Sequence, residues 1–589
     1  MKLTRPRSWF LAVASMALVS MLVLTACGGD EEEATAAPTA TATARPQATS
    51  APAATAIPAP AATATPAPTP TPAATPTPRG PAGTLNIALD TLGPENFVTR
   101  VTSGQEIALT HMVADPLFTL NSATRALEGR LISEWSYQKN GTDNVWSFKI
   151  RPGAVINEGN GTWSSEDVRF NFAEFLKTDS RNSLTSGLRL LIDTNITNFE
   201  IVSPTEFKVH STKFDAAAIR SISVGAGFAA WQPSAYSQRV GDTGYSAHPV
   251  GTGSFIFKSG VKGSKYTLEA VSNHWRKTAS VQTISVLIVP EAATRLAMLK
   301  TGQADLATME KRFKGELTGS LRAHAIPKQA LAFVALGGQY YDTPDKLCTT
   351  CPWVGYTANA IKVREALTIA IDRTTIINKL LSGEGTPASA PFNWMPGTQA
   401  HVDPNWPVPE YNPTRAKQLL TEAGFPNGFP IQFAFVVTAT FPEGLDVAEG
   451  VAGYWEAIGI KVSRMPMDFT TQFRVKMADR TTAGFAWVLA NTIKDEPLPD
   501  MRNLFSKNGA IAYLHDPEID KFIVAASAEP DDAKRAALGK TLGKYLIDTR
   551  IGVPLFGVNG VWGASNKVRS WDNIFGFAFL NNVETITLA

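Results

Sequence analysis

Apolar positions recur with a period of two in several short stretches of this chain and with a period near 3.6 in others. "TLNIAL" (84–89), "NVWSFKI" (144–150), "KYTLEAV" (265–271) and "TISVLIV" (283–289) alternate and predict strands, with Val145, Phe148 and Ile150 turned inward. In "NAIKVREALTIAIDRTTIINKLLSG", Val363, Ala366, Leu367, Ala370 and Ile371 fall at helical spacing and form one apolar face. Asp372 is placed to cap a second helix ending at Gly383, and Asn412-Pro413 opens a third that stops at Gly424. Asp516-Pro517 repeats that opening, and Ser164 with Asp167 three residues on has the form of a capping box. Strand and helix patterns interleave throughout, which predicts an α/β class.

Two stretches at the N-terminus obey neither period. Trp9 to Val23 is uncharged and apolar, follows the basic Lys2, Arg5 and Arg7, and is short for a membrane span of about 20 residues. It ends at Leu24-Thr25-Ala26-Cys27, which resembles the bacterial lipobox and implies cleavage before Cys27 and acylation of its thiol. An ordinary cleaved signal and a single span are the alternatives; all three put the body outside the cytoplasm. With the lipid, the chain would be held at the outer face of the membrane. Residues 34–78 are almost wholly Ala, Pro and Thr, as in "TATPAPTPTPAATPTP". Such a tract has no large apolar face to offset its ordering entropy and reads as an extended or disordered tether.

Composition narrows the chemistry. The 589 residues carry 54 basic and 52 acidic side chains and show no basic block, which argues against nucleic acid as a partner. There is no G-x-S-x-G elbow, H-E-x-x-H pair or Walker loop, and no two of the seven histidines stand at helical spacing. Hence no catalytic residue, no metal ligand set and no cofactor is expected. "GAGFAA" (225–230) matches G-x-G-x-x-A only until Pro233 interrupts the helix it should open. "CTTC" (348–351) admits redox work, but its flanks and an oxidising compartment favour a local disulfide between Cys348 and Cys351.

Five segments in order resemble the family 5 extracytoplasmic solute-binding proteins of ABC importers, the oligopeptide, dipeptide and nickel-binding group. They are "VADPLFTLNSATRALEGRLISEWSYQKNGTDNVWSFKIRPGAVINEGNGTWSSEDVRFNFAEFL"; "HPVGTGSFIFKSGVKGSKYTLEAVSNHWRK"; "EAATRLAMLKTGQADLA"; "IKVREALTIAIDRTTIINKLLSGEGTPA"; and "DPEIDKFIVAASAEPDDAKRAALGKTLGKYLIDTRIGVPLFGVNGVW". Departures are an extra residue near Asn160, Ser254 for a usual proline and Phe255 for a tyrosine. Gly251 and Gly253 are expected to permit a tight turn, one of them at positive φ. Arg364 reads as structural, and Trp135, Trp146 and Trp275 read as core.

The resemblance implies a periplasmic binding protein type II fold, two α/β lobes joined by a hinge, with an extra domain inserted. Carried onto this chain, the signal is 1–26, the acylated cysteine and tether 27–82, lobe I 84–125 with 247–330 and 565–589, the inserted domain 126–246, and lobe II 331–564. It implies a monomer that binds a peptide or other small molecule between the lobes and delivers it to an ABC permease. The alternatives are a receptor for a membrane signalling partner and an extracytoplasmic enzyme using dispersed residues. In peptide-binding members of the family an aspartate in lobe II anchors the peptide amine; here "WVLANTIKDEPLPDM" places Asn491 at that position, with Asp495 able to enter through an insertion. A neutral asparagine lacks the charge-assisted bond to an ammonium. Trp487, Trp394 and Glu106 complete the expected ligand contacts.

Overall fold

The computed structural model describes residues 80–102, 105–182, 184–224, 231–392, 402–436, 441–492, 498–507, 509, 511–577 and 579–589. The N-terminal run, Cys27, the tether, the 225–230 segment, Trp394 and Asp495 lie outside them. Among the described residues, no helix is long and apolar enough to cross a membrane.

One large mixed sheet organises the body. On one side, strand Ala82–Leu89 lies between Val281–Ile288 and Leu306–Met309, parallel to both. Antiparallel strands Lys265–Ala270 and Phe255–Val261 extend this half to its edge. On the other side Phe485–Thr492, Pro430–Phe435 and Lys461–Pro466 run parallel to one another. The halves share two long antiparallel strands, Leu321–Leu336 and Val553–Ser565. The first pairs with Phe485–Thr492 through residues 330–336, and the second with Leu306–Met309 through residues 561–564. This is the two-lobed α/β arrangement the resemblance implies, with the crossing strands as its hinge. A separate four-stranded sheet, in the order Ile132–Asn140, Asp143–Ile150, Glu206–Ser211, Phe199–Ser203, carries its own core with helix Ser165–Leu176, built on Trp163, Phe172, Phe175 and Trp231.

Strands in the second half are buried on both faces and so read as continuous apolar runs, "LAFVAL" and "FAWVLA". Helices Ala358–Ile369, Arg373–Leu380, Pro413–Glu422 and Gly444–Ala457 cover one face around Trp353, Phe433 and Trp455. Pro517–Ala528 and Asp532–Thr549 cover the other around Phe473, Trp487 and Tyr513. The expected caps are present. Asp372 accepts from the Thr375 amide, Asn412 from Arg415 and Asp516 from Glu518, and Ser164 with Asp167 forms the capping box. Arg364 is buried and donates to the carbonyls of Thr549, Trp353 and Gly355, a structural tie between helix and loops.

Two expectations are corrected. Neither Gly251 nor Gly253 has a positive φ. Both glycines are needed because the backbone of residues 112–114 passes against them: a Cβ would stand 2.6 Å from the Ala114 side chain and 2.4 Å from the Met112 carbonyl oxygen, respectively. Trp135 is not core. It is 36% exposed, because its strand is the edge of the four-stranded sheet and only one side of the ring finds a partner, Phe118, at 5.2 Å edge-on. Trp146 and Trp275 are partly buried against the same core.

A buried ionic cluster fastens this region together. Arg276 bridges Asp115 at 3.1 Å and Glu584 at 2.8 Å, and Arg130 approaches the same two carboxylates. His274 beside them donates through Nε2 to the Thr252 carbonyl at 2.7 Å, while Nδ1 accepts from the Arg276 and Lys277 amides. That geometry suits the neutral ring. Burial lowers its pKa, outweighing the nearby Asp115. For Glu584, burial alone would raise the pKa, but Arg276 and Arg130 outweigh it and hold it below the ordinary value.

Gly253→Ala should destabilise the protein by about 1–3 kcal/mol through overpacking, whereas Gly315→Ala, where a Cβ meets nothing within 4 Å, should stay within about 0.5 kcal/mol, both by urea titration. Both His274 and Glu584 bind protons more readily in the unfolded chain than in the fold. Their stabilisation is therefore complete above the ordinary pKa of each group, about 6.5 and 4.3, and is lost on acidification through the lower folded values. Relative to wild type, His274→Gln should flatten the decline in stability that begins near pH 6.5, followed by denaturant midpoints across pH.

Candidate functional site

The carboxyl ends of parallel strands in an open α/β sheet are where ligands bind, because the loops leaving them diverge and open a crevice. Here Ala82–Leu89 ends at Asp90 and Thr91, and Leu306–Met309 ends at Glu310 and Lys311. From the opposite half, the chain beyond Pro430–Phe435 delivers Pro442 and Glu443 to helix Gly444–Ala457. These ends converge on a cleft of about 350 Å³ whose back wall is formed by Gln329, Gly560, Val561 and Trp562 of the crossing strands. Phe579 and Leu580 from the C-terminal segment and Gln105 and Ala108 close its sides. Both halves of the protein thus line one cavity, and both crossing strands pass behind it.

The cleft's fixed charges are largely engaged. Arg295, on helix Ala292–Lys300, spends its guanidinium on backbone: Nε donates to Thr308 and Nη1 to Val289 and Pro290, each at 2.7 Å. Burial pushes its pKa down, with Asp90, Glu310 and Glu291 opposing. Its role is to hold the strand ends in place. Lys311 Nζ stands 3.1 Å from both Glu443 oxygens, and Glu310 pairs outward with Arg312. Asp90 accepts from the Thr308 hydroxyl and is otherwise exposed toward the cleft. What remains open to a guest is the Asp90 carboxylate, with Trp562, 4% exposed and edge-on to Trp571 at 5.2 Å, forming the wall behind it.

Of the residues expected from sequence, Trp487 and Asn491 are brought together and Glu106 is set apart. Trp487 is fully buried mid-strand, edge-on to Phe473 at 5.0 Å and Tyr513 at 6.1 Å, and its indole Nε1 has no hydrogen-bond partner. Asn491, four residues on and so on the same face of the strand, accepts from the Tyr513 hydroxyl at 3.3 Å. Burial keeps that hydroxyl protonated. The Asn491 Nδ2 is buried without a partner. Asn491 is paired with Leu331, two residues along the crossing strand from the cleft-lining Gln329, so this end of the strand approaches the cavity without lining it. Glu106 is buried behind the wall, where it accepts from the Asn96 amide, while its neighbours Gln105 and Ala108 face the cleft. Trp394 and Asp495 fall outside the described residues. Cys348 and Cys351 are joined in a disulfide. Among the described residues, no group of three or more His, Cys, Asp or Glu is placed to hold a metal.

Sequence reading missed Asp90, Lys311, Glu443, Trp562 and Phe579. The signal available was the end of each parallel strand: residues following "TLNIAL" and "ADLATM" could have been nominated once those strands were known to be parallel neighbours. The Lys311–Glu443 pairing had no local signal, since it joins positions 132 apart.

Comparison with known proteins bears on family and fold. The family model described as bacterial extracellular solute-binding proteins, family 5 Middle, matches residues 126–511. Heme-binding protein A of Haemophilus influenzae is 25% identical over 457 residues, covering 74% of this chain and 79% of the relative. Di/tripeptide-binding protein 3 of Pseudomonas aeruginosa is 23% identical, covering 75% and 83%. Among solved structures, the ABC transporter substrate-binding protein CtaP from Listeria monocytogenes superposes with a TM-score of 0.71 at 16% identity, covering 87% of this chain and all of that one. The oligopeptide-binding protein AppA from Bacillus subtilis, in complex with a nonapeptide, gives 0.65 at 19% identity, covering 87% and 100%. These structural likenesses bear on the fold alone. The family and these neighbours are binding proteins rather than enzymes.

Proposed function

The chain belongs to the bacterial extracellular solute-binding proteins of family 5, and we propose that it captures a peptide or similar small molecule between its lobes and hands it, unaltered, to an ABC permease. The observation that carries this reading is the cleft itself: one cavity lined by both halves, backed by the only two long strands they share among the described residues. A ligand binding there gains contacts from both halves only when they close, which is the differential affinity that shifts the population toward the closed form.

In this reading lobe I comprises 84–125, 247–330 and 565–589, lobe II 331–564, and 126–246 is the inserted domain; the separate core under the four-stranded sheet supports the last division. Asp90, Gln329, Trp562 and Phe579 meet the ligand from the wall. Asn491, with Trp487 on the same strand face, meets the ligand from the strand end, and Trp394 and Asp495, outside the described residues, are kept as further contacts. The N-terminal pattern supports a lipoprotein: a signal of 1–26, acylation at Cys27 and a tether, 27–82, holding a monomeric body at the outer face of the cell membrane. Relatives named for heme and for di- and tripeptides leave the ligand class open between them.

Native mass spectrometry of the purified full chain should show a retained ladder of peptide masses. A single discrete mass would reassign the ligand class, and release of chemically altered ligand would overturn the binding-protein reading. Asn491→Asp should tighten binding of peptides with a free amino terminus by about tenfold or more, by titration calorimetry, since it restores a charge-assisted contact. Unchanged affinity would remove Asn491 from the site. Cys27→Ser should abolish incorporation of labelled fatty acid and release the protein from the membrane fraction.

A further inference from the structure

Two ion pairs, one in the cleft and one beside it, join residues of opposite halves. Lys311 and Lys314 lie on one short 3-10 helix, Lys311–Glu316, which follows the strand end of the first half. Residues three apart on such a helix eclipse, so both side chains leave the same face. Lys311 meets Glu443, at the N-terminus of helix Gly444–Ala457, and Lys314 meets Glu384 at 2.5 Å; both glutamates stand on the second half. The first pair is nearly enclosed, with side chains 8% and 12% exposed, and Glu384 is buried. The arginine lining the cleft, Arg295, directs its bonds to backbone carbonyls of its own half.

The second pair is also tied to the hinge. Glu384 accepts from the Asn559 side-chain amide at 2.8 Å, and Asn559 Oδ1 accepts from the Lys328 N–H at 2.9 Å. Lys328, at φ 54°, sits where the ladder between the crossing strands slips, between Ile326 and Ala330. A continuous run of contacts therefore leads from the hinge irregularity through Asn559 and Glu384 to Lys314.

We propose that Lys311–Glu443 and Lys314–Glu384 form an electrostatic latch that stabilises the closed form and keeps part of the ligand-free population in it, coupled through Asn559 to the hinge. This rests on the reading that the two halves open about the crossing strands. Burial sets a desolvation cost against the attraction of each pair, so the latch leaves a small gap between closed and open forms, one that a ligand can tip. Because the first pair is enclosed, salt weakens it less than it would an exposed pair, and removing one charge weakens it outright.

The test is single-molecule energy transfer on the full chain, with dyes clicked to non-natural residues at the exposed positions Lys262 and Lys379, after guanidinium stripping and refolding, with no ligand added. Wild type should populate both states, with a clearly resolved share at short distance. The double variant Glu384→Gln with Glu443→Gln should lower the closed-to-open ratio by about tenfold or more. Lys311→Glu alone should open the cleft, and Lys311→Glu with Glu443→Lys should close it again, which a role in folding alone would not produce. A ligand-free wild type with no short-distance population, or a double variant with the wild-type distribution and an unchanged circular dichroism spectrum, overturns the latch. Should the glutamine variants fail to fold, the charge-swapped pair decides alone. Retained ligand in the mass spectrum tests the capture reading separately, and neither result depends on the other.

Discussion

Everything in this protein depends on two strands that belong to both halves. Leu321–Leu336 and Val553–Ser565 complete the sheet of each side, so neither half has a closed hydrogen-bond ladder without them. Continuous pairing would make a rigid plank. The ladder slips instead around Pro327, which has no N–H to donate, and Lys328, which turns left-handed. The partner strand accommodates the slip with Gly560, where any Cβ would lie 2.1 Å from the Gln329 side-chain oxygen. The irregularity and the cleft are thus one feature: Gln329 and Gly560 both line the cavity that the slip underlies.

Charge in the molecule is managed in two ways. Beneath the glycine turn, Asp115, Arg130, Arg276 and Glu584 are fixed in one buried network that has no reason to come apart. Around the cleft the ion pairs join elements that can separate. The same physics operates in both places, the cost of stripping water from charge against their attraction. Where the partners are locked by many shared contacts the balance gives specificity of packing; where they span a hinge it sets an equilibrium.

Local structure was legible because its causes are local. Ser164, Asp372, Asn412 and Asp516 cap helices by reaching amides two or three residues away, and the strands at 84–89, 265–271 and 283–289 follow from alternation or unbroken apolar runs. The family resemblance supplied the lobes and their hinge. What could not be read was whatever depends on distant neighbours. Gly251 and Gly253 looked like turn formers, but the segment that demands them passes more than a hundred residues earlier in the chain. Trp135 looked like core because tryptophan usually is, and only the strand order shows it at an edge. Of the expected contact residues, Trp487 and Asn491 could be paired from their spacing on one strand, whereas the acidic and aromatic wall of the cleft emerges only when strand ends from both halves are brought together.

The order of the strands has a consequence for how the molecule is made. Strand Leu306–Met309, beside the first strand of the body, takes residues 561–564 as its other neighbour, and Lys567 reaches back to the Thr84 carbonyl across 483 positions. Trp571, Leu580, Val583 and Ile586 then fill the same core as Leu85 and Ile87. The region synthesised first is therefore finished last, and its apolar interior stays open while nearly the whole polypeptide is laid down. Contacts at such separation close slowly, so this half of the sheet is expected to be completed after the locally connected elements.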